Sequence, residues 1–163
     1  MKTKRCSLNL IHENNFHESK QLYLNDQVRF YLGGIITDEK SLKNKFSTML
    51  DDSKNNDSKY WIVRLLGKNE FIGLISFDKH HDGINVEISY QFLPKFWGKG
   101  LAEETLKTMI EYAFGEFGIN KLVAETQTAN IKSCKLLEKL GITVEERLIR
   151  FDAEQFIYSI QKH

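Results

Sequence analysis

Cysteine, proline and long apolar runs are scarce in this 163-residue chain, and each scarcity narrows the class of protein. Cys6 and Cys134 lie far apart without metal-ligand spacing, so we expect two free thiols. A single proline and 41% hydrophobic residues exclude collagen-like and low-complexity proteins. No apolar run approaches the ~18 residues of a membrane span, and the N-terminus leads into no apolar signal core. We therefore expect a cytoplasmic protein with no membrane partner.

The chain also has no large excess of positive or negative charge. The 23 Lys and Arg residues against 22 Asp and Glu residues give a formal net charge of +1. This balance excludes the broad basic surface of a general nucleic-acid binder, so no direct nucleic-acid partner is expected. The length fits a single domain over residues 1–163, and a chain of this size folds without a metal or disulfide. Any partner must be recognised at a local site.

Apolar periodicity divides the chain into a helical first part and a strand-rich second part. A strand is predicted at 4–11, and helical spacing follows from 16 to 28, as one helix or a broken pair. Residues 37–40 look like the capped start of a further helix. The polar stretch 51–59 shows no periodicity and predicts a loop between the two parts.

The second part predicts the sheet topology. Short turns join the first three strands into antiparallel hairpins, and a helix before the next strand requires a right-handed crossover with parallel pairing. Predicted strands cover 60–66, 70–77, 84–92, 121–126, 142–150 and 155–161, and predicted helices cover 100–117 and 130–140. The pattern predicts a mixed α/β (α+β) fold with a mostly antiparallel sheet and one parallel pair.

A glycine turn joins the strand at 84–92 to a long helix. Gly98, Gly100 and Ala102 leave the backbone N–H groups accessible at the start of a helix, which is typical of a phosphate site. The glycines could also serve only to turn the chain. A dinucleotide fingerprint would need a glycine where Glu103 stands, and no Walker-type loop is present.

Three segments together resemble the acetyl-CoA-binding segments of the GNAT acetyltransferases. They are Glu87 to Tyr90, Pro94 to Glu104 and Asn130 to Gly141, and they are most similar to the branch that contains ribosomal-protein N-terminal acetyltransferases. The resemblance implies a GNAT-like sheet whose parallel pair is splayed at the cofactor cleft, with helices on both faces. It implies an acetyl-CoA-dependent N-acetyltransferase without a metal, acting on a peptide N-terminus or a small-molecule amine. We expect a monomer or homodimer.

The resemblance also assigns cofactor-binding positions. Strand backbone would bond the pantetheine arm, turn amides would hold the pyrophosphate, and Lys95 takes the place of the family's Gln or Arg. Asn130 matches a pantetheine-binding asparagine, although a plain helix N-cap explains it as well. The expected cofactor-binding residues are Ser89, Tyr90, Gln91, Phe92, Leu93, Trp97, Gly98, Lys99, Gly100, Leu101, Ala102, Asn130 and Ser133.

Two candidate catalytic residues remain. Glu87 lies on the cofactor strand, facing away from Val86 and Ile88, and is the best candidate to deprotonate the amine; the other interpretation is a solvated polar residue. Leu137 stands where many relatives have a tyrosine acid, so water, Ser133 or no acid protonates the leaving thiolate. A noncatalytic acyl-CoA-binding sensor or interaction module is the alternative function.

One further polar segment could suggest a metal. His80, His81 and Asp82 precede Gly83 in a predicted hairpin, but no further ligand stands at metal-site spacing. The sequence therefore favours a solvated turn and no metal site.

Overall fold

The computed structural model describes residues 1–55 and 58–162, and within them the strands form one seven-stranded sheet. In chain order the elements are β1 (Cys6–Leu10), α1 (Phe16–Tyr23), α2 (Asp26–Arg29), α3 (Glu39–Asn55), β2 (Lys59–Leu65), β3 (Phe71–Lys79), β4 (Val86–Phe92), α4 (Leu101–Phe114), β5 (Lys121–Gln127), α5 (Ile131–Lys139), β6 (Thr143–Arg150) and β7 (Ala153–Gln161). Short 3-10 turns occupy Glu13–Asn15 and Pro94–Phe96. The strand order is β1-β2-β3-β4-β5-β7-β6.

Strand pairing follows the predicted topology. Neighbouring strands are antiparallel, and β4 and β5 form the parallel pair on either side of α4. The mixed, mostly antiparallel fold class is confirmed. Among the residues described, no helix is long and apolar enough to cross a membrane.

Helices cover both faces of the sheet. On one face, α1 reaches β2 through the ion pair between Glu18 and Arg64, whose closest atoms are 2.6 Å apart. On the other face, Tyr112 of α4 packs edge-on against Trp61, and α5 contacts Tyr90 through Ser133. The helical first part is a broken pair, as the spacing allowed, because Asn25 caps α2 by accepting from the Val28 amide at 3.0 Å.

The prediction of a loop at 51–59 is wrong at both ends. The helix α3 continues to Asn55 and β2 begins at Lys59, while residues 56 and 57 lie outside the described part of the chain. Once nucleated, a helix propagates through backbone hydrogen bonds without needing an apolar face in its last turn. In this last turn Lys54 lies 3.7 Å from Glu13.

Two other elements, a helix and a strand, are shorter than predicted. Helix α4 ends at Phe114, three residues before Phe117, and Gly115 serves as its C-cap. Strand β4 begins at Val86 because the Asp82 carboxylate accepts from the amides of Ile84 and Asn85, which lengthens the preceding turn.

Candidate active site

The parallel pair separates soon after it forms. Strands β4 and β5 are paired at Val86 with Leu122 and at Glu87 with Val123, and no further β4–β5 pairing occurs among residues 1–55 and 58–162. Strand β4 continues to Phe92 with its other edge bonded to β3. The edge of Ser89 to Leu93 that faces β5 is therefore open to an extended ligand.

The glycine turn continues from that open edge. Gly98 and Gly100 have φ of 70° and 73°, in the left-handed region that favours glycine. A Cβ at Gly98 would meet nothing within 4 Å, so space for a ligand lies beside it. Gly100 is the N-cap of α4 and has no side chain to cap the helix. The first amides of α4, at Leu101 and Ala102, therefore have no side-chain cap and lie beside the turn. The arrangement suits an anion.

Basic side chains surround the turn, but Lys95 is not aimed at it. Arg5 donates from Nη1 to the Lys99 carbonyl at 2.9 Å and from Nε to Glu104 at 2.7 Å. The Lys132 ammonium lies 4.7 Å from the centre of the Trp97 ring. Lys95 pairs instead with Glu70, away from the position expected for the family's Gln or Arg.

The start of α5 faces the open edge. The Asn130 side chain accepts from the Ser133 amide at 3.3 Å, so the N-cap role is present. The Ser133 hydroxyl lies 2.7 Å from the hydroxyl of Tyr90, whose pKa burial raises to about 12. Leu137, where a tyrosine would stand in many relatives, is 1% exposed in the core.

Glu87 lies where β4 and β5 separate. Its carboxylate is half-buried and accepts from the Ser89 hydroxyl at 3.4 Å. Burial raises the pKa of Glu87 to about 7, and the negative charge of Glu125 acts in the same direction. Glu87 is thus partly shielded from solvent, and its assignment as the base stays a prediction. A carboxyl group with this pKa can gain and lose a proton near neutral pH.

The fold brings together charged residues that lie far apart in sequence. Register places Asp78, Glu87 and Glu125 on the same face of the sheet. His80 is 5% exposed, so the prediction of a solvated turn is wrong for this residue, while His81 stays exposed. Strand alternation could have indicated the direction of the Glu125 side chain, but not its neighbours, since these depend on pairing between distant segments.

Comparison with known proteins identifies this arrangement. The acetyltransferase (GNAT) domain family model matches residues 8–143. The uncharacterized N-acetyltransferase YnaD of Bacillus subtilis is 26% identical over 147 residues, which cover 88% of this chain and 82% of that protein. The chain belongs to the GNAT family and is an acetyl-CoA-dependent acetyltransferase.

Solved structures share the fold at low sequence identity. A spermidine N-acetyltransferase from Vibrio cholerae, in complex with CoA and spermine, superposes with a TM-score of 0.83 at 16% identity, over 96% of this chain and 95% of that one. Ribosomal-protein-S5-alanine acetyltransferase from Vibrio fischeri gives a TM-score of 0.81 at 15% identity, over 99% and 95% of the two chains. The expected GNAT-like architecture is confirmed.

Proposed function

We propose that the enzyme acetylates a primary amine, of a peptide N-terminus or a small molecule, by direct transfer with Glu87 as the general base. The amine nitrogen attacks the thioester carbonyl, the carbon–sulfur bond breaks, and CoA leaves as thiolate while Glu87 takes the amine proton. The observation that carries this proposal is the position of the half-buried Glu87 carboxylate at the point where β4 and β5 diverge.

The cofactor would occupy the gap between the strands. In this proposal the backbone of Ser89 to Leu93 bonds the pantetheine arm, and amides of the turn from Trp97 to Ala102 bind the pyrophosphate without a metal. Asn130 and Ser133 line the same gap from the start of α5. Residues 1–163 would act as one acetyltransferase domain, as a monomer or homodimer.

The proton affinity of Glu87 suits this role. A peptide α-amine titrates near ~7.7–8.0, about one pH unit above the pKa of about 7 for Glu87, whereas a lysine amine titrates near ~10.4. The free energy of proton transfer from an α-ammonium group to Glu87 is therefore small. A more basic amine must first lose its proton to water, because nearby carboxylates stabilise its ammonium form.

Negative charge is present on the acceptor side. Asp78, Glu87 and Glu125 share one sheet face, although Arg150 compensates Glu125 through a contact of 2.9 Å. These carboxylates favour the approach of an ammonium group. The relatives act, by their names, on spermidine and on a ribosomal protein, so both polyamines and peptides belong in the test.

The test is an acceptor screen with the purified enzyme. Acetyl-CoA is mixed with peptides that differ in their N-terminal residue and with polyamines, and products are followed by release of CoA and by a mass gain of one acetyl group. On the accepted amine, Glu87→Gln should lower turnover by roughly 10²–10⁴-fold, with acetyl-CoA affinity unchanged. Glu116→Gln, at an exposed position, is the matched control.

Two outcomes would overturn parts of this proposal. If acetyl-CoA binds but no amine releases CoA, the alternative of a noncatalytic acyl-CoA sensor takes its place. If Glu87→Gln turns over at the wild-type rate from pH 6 to 9, the base lies elsewhere.

A further inference from the structure

A cluster of two histidines, a glutamate and an arginine lies outside the glycine turn, and none of the four is assigned to move the proton or the acetyl group. His80 and His81 follow β3, Glu125 lies in β5, and Arg150 ends β6. The Glu125 Oε2 atom lies 4.0 Å from His80 Nε2 and 3.4 Å from His81 Nδ1. One ligand atom from each of these three residues lies within 4.8 Å of the other two. The spacing is that of side chains arranged around a common centre.

Two polar atoms of this cluster are buried without a partner. The side chains of His80 and Glu125 are 4% and 9% exposed. Neither His80 Nε2 nor Glu125 Oε1 has a hydrogen-bond partner among the described residues. Because burying a polar atom without a hydrogen-bond partner is unfavourable, the unpartnered pair points to a ligand that binds here.

Asp82 orients the ring of His80. Its Oδ2 atom lies 3.1 Å from His80 Nδ1, so a proton on Nδ1 is held by the carboxylate and Nε2 keeps its lone pair. Metal-binding histidines are commonly held in this way by a carboxylate behind the ring.

Arg150 shows that the cluster already attracts a cation. Its Nη1 atom donates to Glu125 Oε2 at 2.9 Å and contacts His81 Nδ1. A guanidinium has only donors, so His81 must present a lone pair to it. The side chain of Arg150 is 31% exposed and lies over the Phe151 ring, which is 72% exposed, so it can move outward without disturbing the core.

We propose that His80, His81 and Glu125 bind one zinc ion or a similar late first-row divalent cation, which displaces the Arg150 guanidinium. Two imidazoles and one carboxylate suit Zn²⁺, whereas Mg²⁺ and Ca²⁺ prefer oxygen ligands alone. Sequence spacing gave no sign of the site because the third ligand comes from a strand more than forty positions away. The proposal does not rest on the acetyl-transfer mechanism, although Glu125 also contributes to the negative charge near Glu87.

Metal titration of the untagged full chain tests this site. After removal of metal with a chelator, ZnCl₂ is titrated by calorimetry, and Co²⁺ is used to obtain a ligand-field absorption spectrum. We expect one Zn²⁺ per chain, with no competition from millimolar Mg²⁺ or Ca²⁺. His80→Ala should weaken Zn²⁺ binding at least ~10-fold, as loss of even an orienting partner commonly does, whereas His17→Ala, on an exposed face of α1, should leave it unchanged.

Arg150→Ala gives the decisive second measurement. If the guanidinium competes with the ion, its removal tightens Zn²⁺ binding; unchanged or weaker binding in this variant contradicts the proposal. Because His80 is buried, circular dichroism must show that His80→Ala is folded. If it is not, Glu125→Gln, which preserves side-chain volume, should show the same loss of affinity. Wild-type affinity in a folded His80→Ala or Glu125→Gln variant would overturn the site.

Discussion

Replacing Glu87 by glutamine should change the free energy of unfolding in a pH-dependent way that requires no knowledge of the acceptor. An unfolded glutamate loses its proton near its ordinary pKa of 4.5, whereas in the folded chain burial delays the loss to about 7. Between these values the unfolded state binds fewer protons than the folded state, so wild-type stability falls as pH rises. Glutamine has no proton to lose, and its variant lacks this decrease.

The magnitude follows from the two pKa values. Each pKa unit corresponds to 1.36 kcal/mol, so ionised Glu87 costs the folded state up to about 3 kcal/mol above pH 7. Below pH 4.5 the cost is absent because both states are protonated. Relative to wild type, Glu87→Gln should therefore gain about 2.5 kcal/mol between pH 5 and pH 8.5. This is a large share of the ~5–15 kcal/mol that stabilises a typical domain.

Urea unfolding at several pH values measures this gain. Glu125, His80 and Arg150 also influence the protonation of Glu87. A chelator is therefore added, so that no metal ion binds to this cluster during the measurement. All other titrating groups are common to the two proteins, so their contributions largely cancel in the difference. Glu116→Gln should differ from wild type by a constant amount. A constant difference between Glu87→Gln and wild type across this pH range would refute the reasoning.

Three further predictions concern the cofactor and the leaving group. Acetyl-CoA at about 100 times its dissociation constant should add ~2.7 kcal/mol to the unfolding free energy in the absence of metal, and no binding at millimolar concentration would contradict this. Gly100→Val should lose more acetyl-CoA affinity than Gly118→Val, which carries the same left-handed strain at the far end of α4; equal affinities, with both variants folded in melting experiments, would make the turn purely structural. Ser133→Ala should slow single-turnover acetyl transfer less than tenfold, a loss below about 1.4 kcal/mol, because CoA thiolate is a good leaving group. A hundredfold loss would instead assign Ser133, supplied with a proton by Tyr90, as the acid.

Local patterns predicted most of the architecture, and they failed where the outcome depended on distant segments. Apolar spacing located α4, and the predicted glycine turn is present, with Gly98 and Gly100 in the left-handed region. The last turn of α3 was missed because it stays helical without an apolar face. Ranges 4–11 and 84–92 were slightly too long because side chains in turns, such as Asp82, decide where pairing begins.

The position of the glycine turn and of the strand residues of the site could be predicted from the sequence, whereas the contacts among its charged and polar side chains could not. Turn residues and strand parity placed Gly98 and Glu87 where the structure has them. The burial of His80, the approach of Glu125 and the hydroxyl pair of Tyr90 and Ser133 each require two segments to meet. No single stretch of sequence carries that information, since strand partners and register are settled by the whole sheet.

The early separation of β4 from β5 has a mechanical consequence. The described sheet consists of a four-stranded sector and a three-stranded sector whose backbones are joined at only two register positions. A ligand that forms hydrogen bonds to both strands would link these sectors while it is bound. Amide hydrogen exchange along the facing edges of β4 and β5 would then be slower in the ligand-bound protein. The sheet would become more rigid when the ligand binds and less rigid when it leaves, once in each turnover.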